Sequence, residues 1–250
     1  MDFNNFAPAW PYEKFEATMR ELITRNAGVI EGQDVLVRAT IFVDALIAGT
    51  KIHDLPHAFA AYIYPMGQIL PRGGVNVCVS SWTRNADNAI PSRAKVNGGY
   101  VNSSLMKNEA LLNGYDDAIA LDAHGHVTEA TVANVFIVRN GVLVTPGVSA
   151  DLLEGITRAS IITIARAAGI PVEERAVDRT ELYIADEAFL CGSSARLIPI
   201  LSVDKRAVGA QGAGATPGAM GPITKILLEK FTAAQSGTDG GIYKEWRVEV

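Results

Sequence analysis

Residues 92–100, SRAKVNGGY, set Lys95 between small residues and a glycine pair, directly after the turn-like Ala89-Ile90-Pro91. Proline and glycine punctuate a chain, so this lysine stands in a tight turn and not on the solvated face of a helix. Upstream, VNVCVSSW (75–82) is apolar and β-branched enough for a strand, and TRNADNAIPSR (83–93) is a polar loop. Downstream, YVNSSLMKNEALLNGY reads as a helix ended by Asn113-Gly114.

Working further outward, DAIALD (117–122) reads as a strand, and NVFIVRNGVLVTP (134–146) as a hairpin turning at Asn140-Gly141. EGITRASIITIARAAGI opens a helix after Gly155 and closes it at Gly169, with Ile161, Ile164, Ala165 and Ala168 on its inner face. AFLCGSSARLIPI (188–200) is a buried strand running into a turn of small residues. The low-complexity stretch 209–222 reads as a surface loop before a final helix, ITKILLEKF. Strands and helices alternate, so the class is mixed α/β.

Toward the N-terminus, YEKFEATMRELITRN after Pro11 places Phe15, Met19, Leu22 and Ile23 on one face of a helix. VLVRATIFVDALI (35–47) reads as a strand interrupted by Arg38 and Asp44, and AFAAYIY (58–64) is a second apolar segment. PMGQILPRGG (65–74) breaks both helix and strand. The expected organisation is a small domain over 1–64, a linker over 65–74 and a larger domain over 75–250.

Composition narrows the function. The 250 residues are 48% hydrophobic, enough for one or two ordinary cores. With 22 basic against 27 acidic residues, the net charge of -5 offers no electrostatic footprint for nucleic acid and no basic membrane patch. Cys78 and Cys191 form no C-x-x-C pair, and as buried small hydrophobes they suit a reducing cytoplasm. The opening MDFNNFAPAWPYEKFE lacks the cationic-then-apolar order of a signal peptide, and no run approaches the roughly 18 apolar residues of a membrane span. A soluble cytoplasmic protein is the expectation.

Lysine in such a turn suits Schiff-base chemistry with an aldehyde cofactor. That chemistry needs an acid to pair with a pyridine nitrogen and a cradle of N–H groups for a phosphate. Thr128-Glu129 puts a carboxylate just before a predicted strand that lacks other charges until Arg139. Gly155-Ile156-Thr157 lies at a helix start, where unpaired N–H groups and the dipole attract phosphate. Gly192-Ser193-Ser194-Ala195 supplies two hydroxyls and approachable backbone at a strand end. Other residues carry less. His53 and His57 are separated by Pro56 and have no third ligand, so no metal is expected. His124-Gly125-His126 reads as a turn between strands, and Asp151 and Glu154 as caps of the following helix.

The joint arrangement resembles the class IV (fold-type IV) pyridoxal-phosphate aminotransferases, most closely the branched-chain amino acid aminotransferases. The matching stretches are SSWTRNADNAIPSRAKVNGGYVNSSL, NGYDDAIALDAHGHVTEATVANVF, LVTP, LEGITRASI, ELYIADEAFLCGSSARLIPI and MGPITKILLEKF. They run in family order over about residues 75 to 231. The resemblance implies a small N-terminal α/β domain, here incomplete, and a larger cofactor-binding domain. It also implies pyridoxal 5'-phosphate as cofactor and a homodimer or higher homo-oligomer. It makes Lys95 the residue that bonds the cofactor and shuttles the substrate proton. Glu129 becomes the partner of the pyridine nitrogen and Tyr100 the contact to the phenolic oxygen. Ile156, Thr157 and Ser193 become the phosphate cradle, while Arg38 and the backbone of Ser194 meet the substrate carboxylate.

The implied reaction is transamination between a branched-chain or related amino acid and a 2-oxo acid such as 2-oxoglutarate. Three departures qualify the match. No Gly-Asp-Gly-Val-Phe-Glu-Gly-like motif with its phosphate-binding arginine is present, which reads as an N-terminally shortened chain. Leu36 stands where the family has a carboxylate-holding tyrosine, and Ile69 where an aromatic pocket residue is common. D-amino acid or amine transaminase activity, aminodeoxychorismate lyase activity, or a non-catalytic fragment are the alternatives these departures keep open.

Overall fold

The computed structural model describes residues 11–67, 70–210 and 216–248. Ile69 and the centre of the 209–222 loop lie outside the described residues. The chain divides into two compact units, one on the N-terminal side up to Gly67 together with Val248, the other running on to Arg247.

In the first unit, α1 (Tyr12–Arg25) and the short α2 (Ala27–Ile30) precede β1 (Val35–Val43) and β2 (His57–Pro65). The strands pair antiparallel over nine residues, from Val35 opposite Pro65 to Val43 opposite His57. β1 is shorter than the sequence suggests. Asp44 N–H turns to the Pro56 carbonyl at 2.8 Å, and Leu46 beyond it is fully exposed, so the apolar residues 45–47 have no sheet to join. Phe15 packs edge-on against Phe59 with ring centroids 6.0 Å apart. No described residue of this unit is fully buried, as follows for a helix laid on two strands.

The second unit is built on one large sheet. Its strands are β3 (Val75–Thr83), β4 (Asp117–Leu121), β5 (Val127–Ala130), β6 (Asn134–Arg139), β7 (Val142–Thr145), β8 (Val172–Glu174), β9 (Glu187–Gly192), β10 (Arg196–Val203) and β11 (Arg206–Ala207). The order across the sheet is β5-β4-β3-β10-β9-β6-β7-β8, with β11 paired to β10. β3 runs parallel to both β4 and β10, and β7 parallel to β8; the other pairs are antiparallel. The two ends of this path come back together. Val127 N–H bonds the Val177 carbonyl at 2.8 Å and His126 bridges Asp178, so β5 meets the chain that leaves β8.

A sheet rolled in this way has an inside, and period-two alternation decides which residues fill it. Val75, Val77, Ile119, Val135, Ile137, Ala188, Leu190, Ile198 and Ile200 pack into the interior. Their neighbours face outward under three helices: α3 (Tyr100–Leu112), α4 (Ile156–Ala167) and α5 (Pro222–Ser236). Cys78, Ala118 and Ala120 meet Met106 and Ala110 of α3. Phe136, Val138, Phe189 and Cys191 meet Ile161, Ile164, Leu227 and Phe231 of α4 and α5. Phe136 and Phe189 are direct cross-strand partners and stack with centroids 5.0 Å apart, a contact of roughly 0.5–1.5 kcal/mol beyond its burial.

The helix α5 starts without a side-chain cap of its own, since Gly221 precedes Pro222. Glu187, buried at the start of β9, supplies the cap: Oε1 accepts from Ile223 N–H at 3.0 Å and Oε2 from Thr224 N–H at 2.7 Å. A Cβ at position 221 would fall 2.1 Å from the Glu187 carboxyl carbon, so only glycine leaves room for it. Replacing Glu187 by alanine strands one buried and one half-buried N–H group and removes two charge-assisted bonds. Equilibrium urea unfolding of Glu187→Ala should show a loss of about 2 to 4 kcal/mol, and a loss below ~1 kcal/mol would mean that α5 docks without this cap.

Candidate active site

Lys95 lies at the end of a single 3-10 turn, Ser92–Ala94, with φ 49 and ψ 45. Left-handed backbone is costly for a side chain with a Cβ, and it persists where surrounding contacts over-determine it. Those contacts come largely from Arg93. Its Nε meets Glu154 Oε1 at 2.6 Å, its Nη2 donates to the Val148 carbonyl at 2.8 Å, and its Nη1 lies 3.3 Å from Asp87 Oδ1. Asp87 N–H in turn donates to Asp151 Oδ1 at 2.9 Å. Asp151 and Glu154 therefore do not cap α4, contrary to the expectation from sequence. α4 has no side-chain cap, and the two acids instead pin the lysine turn to the segment that leads into that helix.

Glu129 precedes the predicted strand, β6, but lies inside a further strand, β5, which is too short and too interrupted by polar residues to be evident from periodicity. The residue is 5% exposed. Oε1 pairs with Arg84 Nη2 at 2.6 Å, while Oε2 accepts from Asn134 Nδ2 at 3.0 Å and from Leu153 N–H at 3.2 Å. Burial pushes its pKa up to about 7, against the pull of Arg84, the Leu153 N–H and Lys95. Asn134 also donates to the Leu153 carbonyl at 2.9 Å. A Cβ on Gly155 would stand 2.3 Å from Asn134 Oδ1, so the glycine before α4 is what lets Asn134 reach Glu129.

The remaining candidates lie on other elements. Tyr100 begins α3, and Lys95 Nζ lies 5.9 Å from its ring centroid. Ile156 and Thr157 are the first residues of α4, the former exposed and the latter buried. Ser193 and Ser194 occupy the turn that joins β9 to β10, where Gly192 pairs with Arg196. Arg38 belongs to the first unit, on β1 opposite Tyr62, and Leu36 lies opposite Tyr64. Cys78 and Cys191 are buried, and burial pushes their thiols up to about 11 and about 12 respectively, so both stay neutral.

Arg84, Arg93 and Asn134 were not singled out from the sequence. The one signal for them was indirect: a buried carboxylate needs a cation and donors, and Arg84 and Arg93 are the only cations in the 83–94 loop.

The raised pKa of Glu129 has a consequence for stability. Its carboxyl titrates near 4.5 when unfolded and near 7 when folded, so the native state binds the extra proton between those values. The associated stability is complete below about pH 4.5 and lost as pH rises through about 7, up to about 3 kcal/mol. Urea unfolding of the cofactor-free protein should therefore lose that much relative to Glu129→Gln between pH 4.5 and 7. Parallel curves would show that Glu129 titrates as an ordinary exposed acid.

Comparison with known proteins places these features. The family model for amino-transferase class IV matches residues 3–203. The probable branched-chain-amino-acid aminotransferase of Aquifex aeolicus is 42% identical over 220 residues, 87% of this chain and 68% of that protein. The crystal structure of a branched-chain aminotransferase from Thermoproteus uzoniensis with norvaline superposes with a TM-score of 0.87 at 34% identity, covering 95% of this chain and 75% of that one. The pyridoxal-phosphate form of the Thermobaculum terrenum enzyme gives 0.85 at 35% identity, covering 95% and 74%. A lysine in a strained turn, a buried carboxylate and an uncapped helix start thus sit in a chain that belongs to the class IV aminotransferase family.

Proposed function

We propose that this protein is a pyridoxal-phosphate-dependent aminotransferase that moves an amino group between a branched-chain amino acid and a 2-oxo acid such as 2-oxoglutarate. The observation that carries the reading is Lys95, fixed in left-handed backbone, within electrostatic reach of a buried Glu129 carboxyl that keeps an acceptor position open. An ionised carboxylate has about four lone-pair sites. Arg84, Asn134 and Leu153 take three, leaving one on Oε1 among the contacts of the described residues.

The residues present fit the cofactor. Lys95 offers a primary amine on an exposed turn, Glu129 an acceptor for a protonated ring nitrogen, and α4 first-turn N–H groups that no side chain caps. The turn over Ser193 and Ser194 adds hydroxyls and backbone donors. When bound, the cofactor supplies an electron sink that makes the Cα proton of an amino acid acidic.

The chain's own part is to place and move protons. Lys95 Nζ accepts the Cα proton as a general base and returns it on the cofactor side. With its proton given to the ring nitrogen, Glu129 is the anion that keeps that nitrogen cationic, and the Tyr100 hydroxyl donates to the phenolic oxygen. Ile156, Thr157 and Ser193 hold the phosphate, with the dipole of α4 favouring its charge. The Ser194 N–H receives the substrate carboxylate. The protein works in the cytoplasm as a homodimer or higher homo-oligomer. No helix among the described residues is long and apolar enough to cross a membrane.

Purified protein mixed with pyridoxal phosphate, freed of excess and reduced with borohydride should carry its label on Lys95 by peptide mapping. Lys95→Ala should lose about 100- to 10,000-fold in turnover of branched-chain donors. Transamination that survives this substitution, or a label elsewhere, would sink the reading.

A further inference from the structure

We propose that Arg84 is a positioning residue for this reaction: its guanidinium fixes the Glu129 carboxyl and favours its ionised form, leaving one lone pair of Oε1 for a proton-bearing ring nitrogen. The inference rests on the aminotransferase reading and adds a residue to it.

Arg84 follows β3 and is only partly exposed, at 15% of its side chain against 6% for Glu129. Its three nitrogens engage three different elements. Nη2 pairs with Glu129 Oε1 at 2.6 Å, Nη1 donates to Ser103 Oγ on α3 at 3.3 Å, and Nε approaches the Asp151 carbonyl ahead of α4 at 3.4 Å. A planar fork held at every nitrogen cannot swing away, so the carboxyl it pairs with is fixed too. Lysine has one nitrogen on a flexible stem and cannot span the same three sites.

The charge balance at Glu129 makes the arginine necessary. The groups that face it are Arg84 from the end of β3, Lys95 from its turn, the Asn134 amide from β6, the Leu153 N–H, and the neutral Cys191 thiol from β9. Lys95 exerts the weakest of the pulls that keep the carboxyl ionised, and Arg84 the largest. Its own task commits the Lys95 amine elsewhere. Without Arg84, a carboxyl this buried would hold its proton beyond the pH of about 7 at which it now gives it up, and a protonated carboxyl cannot keep a ring nitrogen cationic.

The test reads Glu129 directly in cofactor-free protein. Carbon-13 carboxyl labelling of glutamate, with the resonance assigned through Glu129→Gln, gives the titration midpoint in wild type, Arg84→Lys and Arg84→Gln, each checked for folding by thermal melting. The midpoint should rise by about one to three pH units in Arg84→Gln and by less in Arg84→Lys. In loaded enzyme, kcat should fall at least tenfold in Arg84→Gln, with partial rescue in Arg84→Lys and KM changed little. An unmoved midpoint, or an unmoved kcat, in folded Arg84→Gln overturns the proposal. If that variant does not fold, Arg84→Lys decides: a raised midpoint with lowered kcat supports the proposal, and anything else overturns it. A raised midpoint in protein that takes no label at Lys95 would instead sink the aminotransferase reading, and Arg84's part in the reaction with it.

Discussion

A carboxylate buried inside a rolled sheet is the constraint to which the site answers. Glu129 sits in β5 with almost no access to water, and an isolated charge there would be intolerable. Three separate segments move in to meet it: Arg84 from the loop after β3, Asn134 from the start of β6 and the Leu153 N–H from the approach to α4. Two of these segments also carry another candidate residue. The loop with Arg84 continues to Lys95, and the approach with Leu153 continues through Gly155 to Ile156 and Thr157. Satisfying one charge therefore fixes the spacing of the whole site.

The sheet makes that convergence possible. Closure between β5 and residues 177–178 brings strands from opposite ends of the path together, so β5 and β6, neighbours in sequence, flank the same site. Ala130 N–H bonds the Ala133 carbonyl at 2.8 Å across the connection. The outward rows on β6 and β9 then seat α4 and α5, and the start of α4 ends up beside Glu129 because Gly155 lacks a side chain. Packing energy is spread over many apolar contacts, whereas position is set by a few polar ones.

Much of this was legible in the sequence where the local signal was strong. The turn around Lys95 follows from Pro91 and the Gly98-Gly99 pair, the hairpin from Asn140-Gly141, and the helix α4 from its spaced isoleucines. β5, β8 and β11 were not, because two to four residues give no period to read and their partners are distant in sequence. β1 was drawn too long because apolar residues continue past Val43, while only pairing with β2 decides where a strand stops. The acids Asp151 and Glu154 look like helix caps by position. Their actual partners, Asp87 N–H and Arg93, lie more than sixty residues earlier.

The same distinction explains why lysine and glutamate were found while their supports were missed. Lys95 and Glu129 are recognisable by the chemistry proposed for them, which demands an amine and an acid in characteristic surroundings. Arg84 and Arg93 perform none; they are needed because two energetically unfavourable conditions, a buried charge and a left-handed lysine, must be stabilised by contacts made elsewhere in the chain. Such residues become visible once the fold shows what would be left unpaired without them. An arginine with all three nitrogens engaged, next to a buried acid, is in that sense as much a part of the site as the acid itself.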